Sequence, residues 1–514
     1  MKTYKIGTRG SLLAVTQSTL IKNQLEENTG DKFELVTIKT QGDEVTNKPL
    51  WQLEGKDFFT KELDEALLRG EVDFVIHSYK DLGSIRPEGI KLAAVTQRKF
   101  AHDVLLISKK TIEALPDFKG EFIVGTSSPR RIVNLTDSLK PYIPYSKKNG
   151  LSIKCETLRG NVNGRIRKLR EGKYHAIVLA LAGIERLAHT EKSALELREI
   201  LDGLNYLVLP QSVFPSAASQ GALGIELRED RDDDGKLLHI LGKLVHEQTV
   251  EEVLRERKAF KEFGGGCHLA VGIHVKKLDS TFLHVHKGEV DGVKIEKKWL
   301  EGYKLPQMPL GKKLFVGLPK GQRPGIVYDE FIEKFSTNAP VSSNGKHLFV
   351  TSRYCVPSLS QGKADWAGLW AAGPRTATIL TQKGFWVNGT SDSQGTADLL
   401  ALATSQALKL MTPRMDAWVV LSHDAATSEL GEVVACYQRK EKTVTAEYTD
   451  SLKTVGACFW TSFAQYKAFL EEFPFLSQAI HFCGLGKTWQ EFSKRNLDVR
   501  PVAGMEEFYS LAKD

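Results

Sequence analysis

The sequence predicts an α/β protein of several domains, and three observations support this prediction. A chain of 514 residues is far longer than one hydrophobic core can serve, and at roughly 100 to 200 residues per domain it should form three to five domains. Through about the first 225 residues, short apolar runs alternate with amphipathic stretches, as in strands and helices around a largely parallel sheet. The last 165 residues contain a faint internal repeat, which implies two similar α/β lobes.

Strand and helix signals alternate along the first part of the chain. Residues 4–8 form the first predicted strand and residues 11–27 the helix after it, with Ser11 suited to cap its N-terminus. Pro129 suits the first turn of another helix, because proline lacks an N–H and has a fixed φ. Further strands are predicted at 33–39, 72–77 and 122–126, a helix at 60–68, and another strand-to-helix pattern at 174–182.

From about residue 223 the pattern changes to that of a smaller α+β unit. A strand is predicted at 225–228 and a charged amphipathic helix at 249–263, and three glycines before Cys267 lead into alternating β segments. Prolines and glycines at 301–346 are typical of a linker. The expected units are residues 1–100 with 200–222, residues 101–199, residues 223–304, a linker and weakly patterned start at 305–346, and residues 347–514.

The last part of the chain is predicted to form two similar lobes. Residues 347–359 and 369–380 each combine a strand with a following helix, and residues 457–470 and 479–492 repeat this combination. Such a duplication favours two α/β units of like topology.

Composition excludes several classes of protein. Six cysteines lie far apart without the spacing of metal ligands, so neither a disulfide framework nor a metal site is expected. A net charge of +7 favours anionic partners but is too small for a nucleic-acid binder. Apolar runs such as 176–183 are too short for a membrane helix, and residues 1–11 lack the apolar stretch of an export signal. We therefore expect a cytoplasmic protein with no membrane or nucleic-acid partner.

Basic and hydroxyl side chains follow several of the predicted strands. The carboxyl ends of parallel strands meet at one edge of a sheet, where α/β proteins bind their ligands. Guanidinium groups bind carboxylates through two parallel hydrogen bonds, and helix N-termini offer free N–H groups. Any one arginine alone is most simply a surface charge, but their clustering favours a ligand with many carboxylates. The residues are Arg9, Ser11, Ser78, Lys80, Thr126, Ser127, Ser128, Arg130, Arg131, Arg159, Arg165 and Arg186.

Asp81 and Cys267 are the two candidates for direct chemistry. Asp81 is the acid within these strand-end segments, and a carboxylate among cations tends to stay ionised. It is suited to stabilise a cationic intermediate and to exchange a proton with a leaving amine, whereas the alternative is a structural ion pair with Lys80. Cys267 follows three glycines, which predicts an open turn. The alternative there is the usual small, buried, hydrophobic cysteine.

Seven segments within the first 300 residues carry a specific resemblance. In order, they are GTRGSLLAVTQ, EGKDFFTKELDEALL, DFVIHSYKDL, GTSSPRR, LRGNVNGRIRKL, SQGALGIELR and GGGC. Their order and spacing are similar to those of the porphobilinogen deaminase (hydroxymethylbilane synthase) family. The resemblance implies two α/β lobes similar to the periplasmic binding-protein fold, joined to a small α+β domain that bears a cysteine. It also implies an enzyme that condenses four porphobilinogen molecules head to tail, releases ammonia at each step and frees a linear tetrapyrrole.

The resemblance implies a role for each matching residue. Cys267 would hold a dipyrromethane cofactor through a thioether, and Asp81 would be the catalytic carboxylate that serves deamination and the azafulvene-type cation. Lys56 and Phe59 fall in the stretch similar to the family's mobile active-site loop, and Gln220 matches its glutamine. Acetate and propionate groups of the cofactor and the growing chain would be held by Arg9, Ser11, Lys80, Arg130, Arg131, Arg159, Arg165 and Arg186, with Ser78, Thr126, Ser127 and Ser128 donating beside them.

The second half resembles uroporphyrinogen-III synthase, which cyclises the linear tetrapyrrole with inversion of its last ring between two α/β lobes. The matching segments are VTSRYCVPSL, AAGPRTATIL, ACYQRKE, FWTSFAQYKAFL and HFCGLGKTW. This resemblance implies a cleft with Tyr437, Ser462 and Thr488. The turn at 484–488 departs from the family's Gly-Pro-Thr-Thr, and the first lobe is shortened at 318–346. A non-catalytic remnant that binds or scaffolds is therefore an open alternative.

A further alternative is a solute-binding or sensing protein, because an arginine-lined crevice between two lobes would serve any small polyanion. Asp81 and the glycine-flanked Cys267 argue against this alternative. The expected partner is the small molecule porphobilinogen, and the sequence is compatible with a monomer.

Overall fold

The structure is a computed structural model that describes residues 2–40, 60–266, 268–309, 311–319, 321, 323–361, 365–412 and 414–512. The strands are β1 (Thr3–Arg9), β2 (Lys32–Ile38), β3 (Phe74–Ser78), β4 (Ile90–Val95), β5 (Asp103–Ser108), β6 (Glu121–Gly125), β7 (Ser152–Glu156), β8 (Ala176–Ala180), β9 (Leu204–Val208), β10 (Leu223–Arg228), β11 (Ala270–Leu278), β12 (Thr281–Val290), β13 (Val293–Leu300), β14 (Lys313–Val316), β15 (Ile326–Tyr328), β16 (Ile332–Ser336), β17 (His347–Val350), β18 (Gly368–Ala371), β19 (Gly389–Thr390), β20 (Trp418–His423), β21 (Glu432–Glu441), β22 (Val455–Trp460), β23 (Ile480–Gly484) and β24 (Val499–Val502).

The helices are α1 (Leu12–Thr29), α2 (Lys61–Leu68), α3 (Lys109–Ala114), α4 (Pro129–Ser138), α5 (Val162–Arg170), α6 (Leu181–Ala188), α7 (Glu191–Leu201), α8 (Lys236–Gly242), α9 (Glu247–Glu262), α10 (Val356–Gln361), α11 (Pro374–Gln382), α12 (Ala397–Ala403), α13 (Gln406–Met411), α14 (Ala446–Lys453), α15 (Phe463–Glu472), α16 (Lys487–Ser493) and α17 (Met505–Tyr509). The predicted mixed α/β class is therefore confirmed. Among the residues described, no helix is both long and apolar enough to cross a membrane.

The first lobe, lobe A, is a sheet with strand order β2-β1-β3-β10-β4. Strands β1, β2 and β3 are parallel, whereas β10 is antiparallel to both of its neighbours. The sheet is thus mixed rather than largely parallel. Because β10 belongs to lobe A, the expected boundary at residue 223 is wrong: the chain returns to lobe A and completes its sheet before it forms the next unit.

The second lobe, lobe B, has strand order β7-β6-β8-β5-β9. Its strand β5 is antiparallel to β8 and β9. Residues 200–222 were expected in lobe A, but β9 lies in this sheet, so that assignment is wrong for β9. An apolar strand has the same sequence pattern whichever sheet it joins, and the pattern alone could not distinguish the two.

Two segments link lobes A and B, namely residues 96–103 and 209–222. They run side by side, with the Lys99 N–H donating to the Gly221 carbonyl at 2.9 Å and the Leu209 N–H to the Asp103 carbonyl at 3.0 Å. A Cβ at Gly221 would lie 2.2 Å from the Lys99 carbonyl oxygen, so this close approach requires glycine.

The small domain consists of α9 and the antiparallel meander β11-β12-β13. Ala259 and Phe260 on α9 pack against Val271 and Ile273 of β11. Both the helix and the β segments agree with the elements predicted for this part of the chain.

The second half forms two further lobes. Lobe C (residues 332–441) has strand order β16-β21-β20-β17-β18-β19, and lobe D (residues 313–328 and 455–512) has order β15-β14-β22-β23-β24. Two sheets are present where the internal repeat indicated two lobes. The stretch at 305–346 was expected to be a linker and a weakly patterned start of this region, and beyond residue 312 it is not a linker. It supplies β14, β15 and β16, which are only four, three and five residues long and too short to give a clear pattern.

Candidate active site

Asp81 lies in a short 3-10 turn directly after β3. Within this turn Tyr79 is buried, and its N–H donates to the Ala222 carbonyl at 3.1 Å. The turn is therefore fixed to the segment that links the lobes. The Asp81 side chain is half-buried. Three cations interact with it electrostatically, namely Lys80, Arg165 and Arg186.

The small domain holds the loop that follows Asp81. Arg257 on α9 donates to the Leu82 carbonyl at 2.8 Å and also to the Gly83 carbonyl. Gly265 has a φ of +61°, and a Cβ there would lie 2.9 Å from Ser84 Oγ, so the glycine turn packs directly against this loop. Predicted residues Cys267, Lys56 and Phe59 lie outside the described residues.

Lys80 reaches from lobe A toward the linking segment. Its ammonium donates to Gln220 Oε1 at 3.3 Å. Burial lowers the pKa of Lys80 to about 8, with Asp81 opposing this shift and Arg131 adding to it. Lys80 therefore loses its proton at a lower pH than an exposed lysine does.

Asp103, at the start of β5, pairs with two arginines of the site and was not among the predicted residues. It is 1% exposed and accepts two bonds from Arg131, at 2.7 Å and 3.1 Å. It also pairs with Arg130 at 2.9 Å and accepts from the Gln220 amide at 2.9 Å. Burial raises the pKa of Asp103, but the two guanidiniums hold it far below its usual range. A lone acid heading an apolar strand was the available signal.

Arg130 and Arg131 are consequently almost fully buried. They are only 5% and 8% exposed. Arg130 also donates to the Pro215 carbonyl at 2.8 Å, and Arg131 to the Val178 carbonyl at 3.1 Å. Since one carboxylate serves two guanidiniums, the pair retains a net positive charge, but several of its N–H groups already have protein partners.

Arg165 and Arg186 have no acid within ion-pair distance among the residues that the structure describes. Arg165 Nε donates to the Gly160 carbonyl and Arg186 Nη2 to the Gly221 carbonyl, both at 2.7 Å. Burial lowers the pKa of each guanidinium to about 10. Arg159 repels Arg165 and is itself half-buried, with burial lowering its pKa.

Ser127 and Thr126 connect neighbouring parts of the site. Ser127 Oγ donates to the Leu158 carbonyl at 2.8 Å and accepts from the Leu158 N–H at 3.1 Å. Thr126 is buried, and its hydroxyl accepts from the Ser128 N–H at 3.3 Å. These bonds order the segments that carry the arginines. The half-buried Ser128 side chain makes no capping bond to α4.

The hydroxyls of lobe A are similarly engaged. Ser11 Oγ accepts from the Ala14 N–H at 3.3 Å and caps α1, as predicted. Ser78 Oγ lies 3.1 Å from the side-chain nitrogen of Gln17. Arg9, at the end of β1, is half-buried.

The residues grouped around Asp81 and Asp103 are called the crevice here, and they carry an excess of positive charge. The cations are Lys80, Arg130, Arg131, Arg165 and Arg186. Among the described residues, Asp103 is shared by two arginines, and Asp81 interacts electrostatically with Lys80, Arg165 and Arg186. An array of this kind fits a ligand that bears several carboxylates. Each carboxylate would give a negative partner to a cation that burial has removed from water.

Lobe A also contains a buried cluster of two acids and a histidine, apart from the cationic group just described. Asp64, His77 and Glu226 have ligand atoms within 4.8 Å of one another. Arg86 donates to both oxygens of Glu226 at 2.8 Å and pairs with Asp64 at 2.5 Å. Since Arg86 pairs with both acids and His77 lies 3.3 Å from Glu226, the cluster is a buried ion-pair network.

Of the predicted residues of the second half, Ser462 has a contact between lobes C and D, while Tyr437 and Thr488 have contacts within lobe C and lobe D. Arg439 on β21 donates to Ser462 Oγ at 3.4 Å, which joins the two lobes. Tyr437 is buried, with its ring 5.8 Å from that of His423. Thr488 Oγ1 donates to the Thr461 carbonyl at 3.2 Å and so supports the turn beside Ser462.

A pair of cations in this cleft escaped the sequence analysis. Lys334 and Arg439 are direct cross-strand partners on β16 and β21, where like charges repel. Burial lowers the pKa of Lys334 to about 8, and Arg439 adds to this shift. Arg439 Nε is buried without a hydrogen-bond partner. In sequence both residues resemble ordinary surface charges, and β16 is only five residues long, so nothing marked them as partners.

Comparison with known proteins supplies the family. Residues 4–236 match the family model described as porphobilinogen deaminase, dipyromethane cofactor binding domain. The cofactor is accordingly a dipyrromethane, and its carboxylates fit the cationic crevice.

Porphobilinogen deaminase of Sulfurimonas denitrificans is 41% identical over 55% of this chain and 83% of that protein. A uroporphyrinogen-III synthetase structure from Helicobacter pylori 26695 covers 39% of this chain and 98% of its own, with 16% identity and a TM-score of 0.29. Porphobilinogen deaminase of a Nitratiruptor species is 37% identical over 60% of this chain and 91% of that protein. The chain therefore belongs to the porphobilinogen deaminase family.

Proposed function

We propose that this chain condenses four porphobilinogen molecules into hydroxymethylbilane, with Asp81 as the catalytic carboxylate. The observation that carries this proposal is the position of Asp81, half-buried on a turn that is bonded to the linking segment and in electrostatic interaction with Lys80, Arg165 and Arg186. An anion at this point stabilises positive charge on a reacting pyrrole. The surrounding cations bind the carboxylates that the same molecule carries.

Each condensation breaks one bond and forms another. The bond between the aminomethyl carbon and its nitrogen breaks, the electron pair leaves with nitrogen, and the protonated amine departs as ammonia. The remaining cationic pyrrole lies against the Asp81 carboxylate. When the free α-carbon of the neighbouring pyrrole attacks, a carbon–carbon bond forms and that ring loses a proton, which Asp81 can accept.

We further propose that Cys267 attaches the cofactor. When bound, the dipyrromethane supplies the primer on which the chain grows. Supporting this, Gly265 packs against Ser84, just beyond Asp81, so the backbone two residues before Cys267 lies at the catalytic loop. Arg9, Arg159, Arg165, Arg186 and Lys80 bind carboxylates directly in this proposal, while Arg130 and Arg131 share their charge with Asp103.

Intact-mass spectrometry tests both assignments. The purified chain should be heavier than its sequence by one dipyrromethane. Cys267→Ser should lack this mass and not turn over porphobilinogen, because a hydroxyl is a far weaker nucleophile than a thiolate. Cys155→Ser, at a half-buried cysteine elsewhere in lobe B, is the matched control and should keep the adduct. A loaded, active Cys267→Ser chain would refute the assignment.

We also propose that the second half cyclises hydroxymethylbilane to uroporphyrinogen III. Supporting this, lobes C and D meet at Ser462, and the cleft contains Lys334 and Arg439, which lack an acidic partner within ion-pair distance among the described residues. A cationic cleft suits a chain with many carboxylates, and ring inversion requires a surface that holds this chain while the last ring turns.

The isomer formed by the full chain tests this second activity. Hydroxymethylbilane closes without help to the type I isomer, so a working cleft should give mainly type III from porphobilinogen. Arg439→Gln should shift the product toward type I while porphobilinogen consumption is unchanged. Lys440→Gln, at the exposed neighbouring position, is the control and should retain type III. Chromatography of the oxidised products that gave type I from the unaltered chain would instead favour a non-catalytic remnant.

A further inference from the structure

Lobe C is attached to the deaminase along the edge of β9. The Val208 N–H donates to the Asn388 carbonyl at 2.8 Å, where β19 begins. Asn388 Nδ2 and Trp386 Nε1 both donate to the Tyr206 carbonyl, at 3.1 Å and 3.0 Å. The outer edge of the lobe B sheet is thus covered by the outer edge of the lobe C sheet.

The hydrophobic core is continuous across this boundary. One cluster joins Tyr206 and Val208 of β9 with Trp370 and Trp418 of lobe C. Tyr206 and Trp370 are fully buried, with ring centroids 6.2 Å apart. A boundary of this kind resembles the interior of one domain more than a contact between separate domains.

Glu185 on α6 is the polar centre of the contact. It is 3% exposed. Its carboxylate accepts from Ser405 Oγ at 2.6 Å, from the Ala407 N–H at 3.0 Å and from the Gln406 N–H at 3.2 Å. His189 Nε2 lies 3.1 Å away. The main partners of this buried acid therefore belong to the segment that begins α13 of lobe C.

Arg186 is the next residue on the same helix, and its side chain is directed at the segment that links lobes A and B. Its guanidinium donates to the Gly221 carbonyl of the linking segment and interacts with Asp81. Successive residues on a helix point about 100° apart, so one short helix can present Glu185 to lobe C and Arg186 to the crevice. The placement of α6 fixes both side chains together.

We propose that Glu185 is a positioning residue for Arg186. Lobe C, by holding Glu185, thereby contributes to substrate binding at the deaminase site. This inference rests on the proposed role of Arg186 in binding carboxylates of porphobilinogen. Lobe C supplies three hydrogen-bond donors that set the position of α6, and α6 sets the position of the guanidinium. Loss of these donors leaves the chemistry of Asp81 in place and weakens substrate binding.

Steady-state kinetics of porphobilinogen consumption by full-length variants tests the inference. Glu185→Ala should raise KM at least about fivefold, the lower range for coupled sites, with a smaller change in kcat. Ser405→Ala should raise KM in the same direction by less. Glu185→Gln should recover part of the loss, because its amide oxygen can still accept from Ser405 Oγ and the Ala407 N–H, whereas its NH2 replaces the oxygen that accepts from the Gln406 N–H. Thr404→Ala, at an exposed neighbour whose hydroxyl donates to Ala401, should have no effect.

Arg186→Leu separates this inference from the proposed function. If Arg186→Leu raises KM and neither Glu185→Ala nor Ser405→Ala does, the positioning role is refuted while the binding role stands. If Arg186→Leu leaves KM unchanged, the binding role itself fails. Should Glu185→Ala not fold, Ser405→Ala decides, because it removes a single hydroxyl and leaves the carboxylate its two backbone donors.

Discussion

Asp103 and Arg131 form a two-point ion pair in which Nη2 lies 2.7 Å from Oδ1 and Nε lies 3.1 Å from Oδ2. The pair sits where the chain enters lobe B, and Gln220 on the returning segment donates to the same carboxylate. Lys80 of lobe A in turn donates to Gln220. One buried acid thus organises polar groups from lobe A, from lobe B and from a segment that links them.

Asp103→Asn should destabilise the fold by about 3 to 5 kcal/mol, the range for removing one partner of a buried pair. Asparagine keeps the shape but leaves two guanidiniums without an anion. Urea unfolding at pH 7 measures the loss, and Asp137→Asn, at a partly exposed acid paired with Lys294, is the control. Because the pKa of Asp103 is lowered in the folded chain, its contribution is present above the unfolded value of about 3.9 and is lost as pH falls below it. Equal stability of both variants would contradict this account.

Asp81→Asn should reduce kcat by about 10² to 10⁴-fold, the usual contribution of a general acid or base. The side chain is only half-buried, so the urea midpoint should change little. Glu88→Gln, at an exposed acid near the end of the same loop, is the control and should leave kcat unchanged. A near-normal rate for Asp81→Asn would make Asp81 structural.

Lys80 should impose an alkaline limit on substrate binding. Its pKa is lowered to about 8, so deprotonation above this pH removes a positive charge and raises KM for porphobilinogen. Bound carboxylates favour the charged form, which places the midpoint at or above pH 8. Lys80→Arg stays charged throughout, and its KM should remain flat to higher pH. Porphobilinogen ionises identically in both assays, so parallel KM profiles would exclude Lys80 as the titrating group.

The two halves should unfold in a single transition, because lobe B and lobe C share one core. Six of the eight tryptophans lie beyond residue 305, so their fluorescence mainly follows the second half, while porphobilinogen consumption follows the first. The two urea transitions should coincide. Trp370→Phe should move both midpoints together, and separate movement would mean that the halves fold independently.

Much of the secondary structure could be predicted from the sequence, because its signals are local. Ser11 capping α1 and Pro129 opening α4 are examples, and both are present as predicted. The sheet to which β9 and β10 belong could not be predicted, since strand pairing is set by contacts between distant parts of the chain. Strands β14 to β16 were missed for a different reason, because three to five residues do not define a period.

The candidate site was predictable to the extent that it depends on strand ends. Asp81, Arg165 and Arg186 come from three separate segments and interact electrostatically in the structure. Asp103 was not identified, because an acid at the start of an apolar strand does not show which arginines it will pair with. The roles of Cys267, Lys56 and Phe59 stay predictions.

The contact between β9 and β19 also bears on how the chain avoids self-association. Each strand is the last of its sheet, and an open edge offers unpaired backbone groups to any other extended chain. Natural proteins protect such edges with charges, prolines or bulges, yet β9 reads Leu-Asn-Tyr-Leu-Val and has no charge or proline. Lobe C provides the cover instead. A first half expressed alone would expose an apolar strand ready to pair with a second copy, so its separation from lobe C would require a new protective residue on β9.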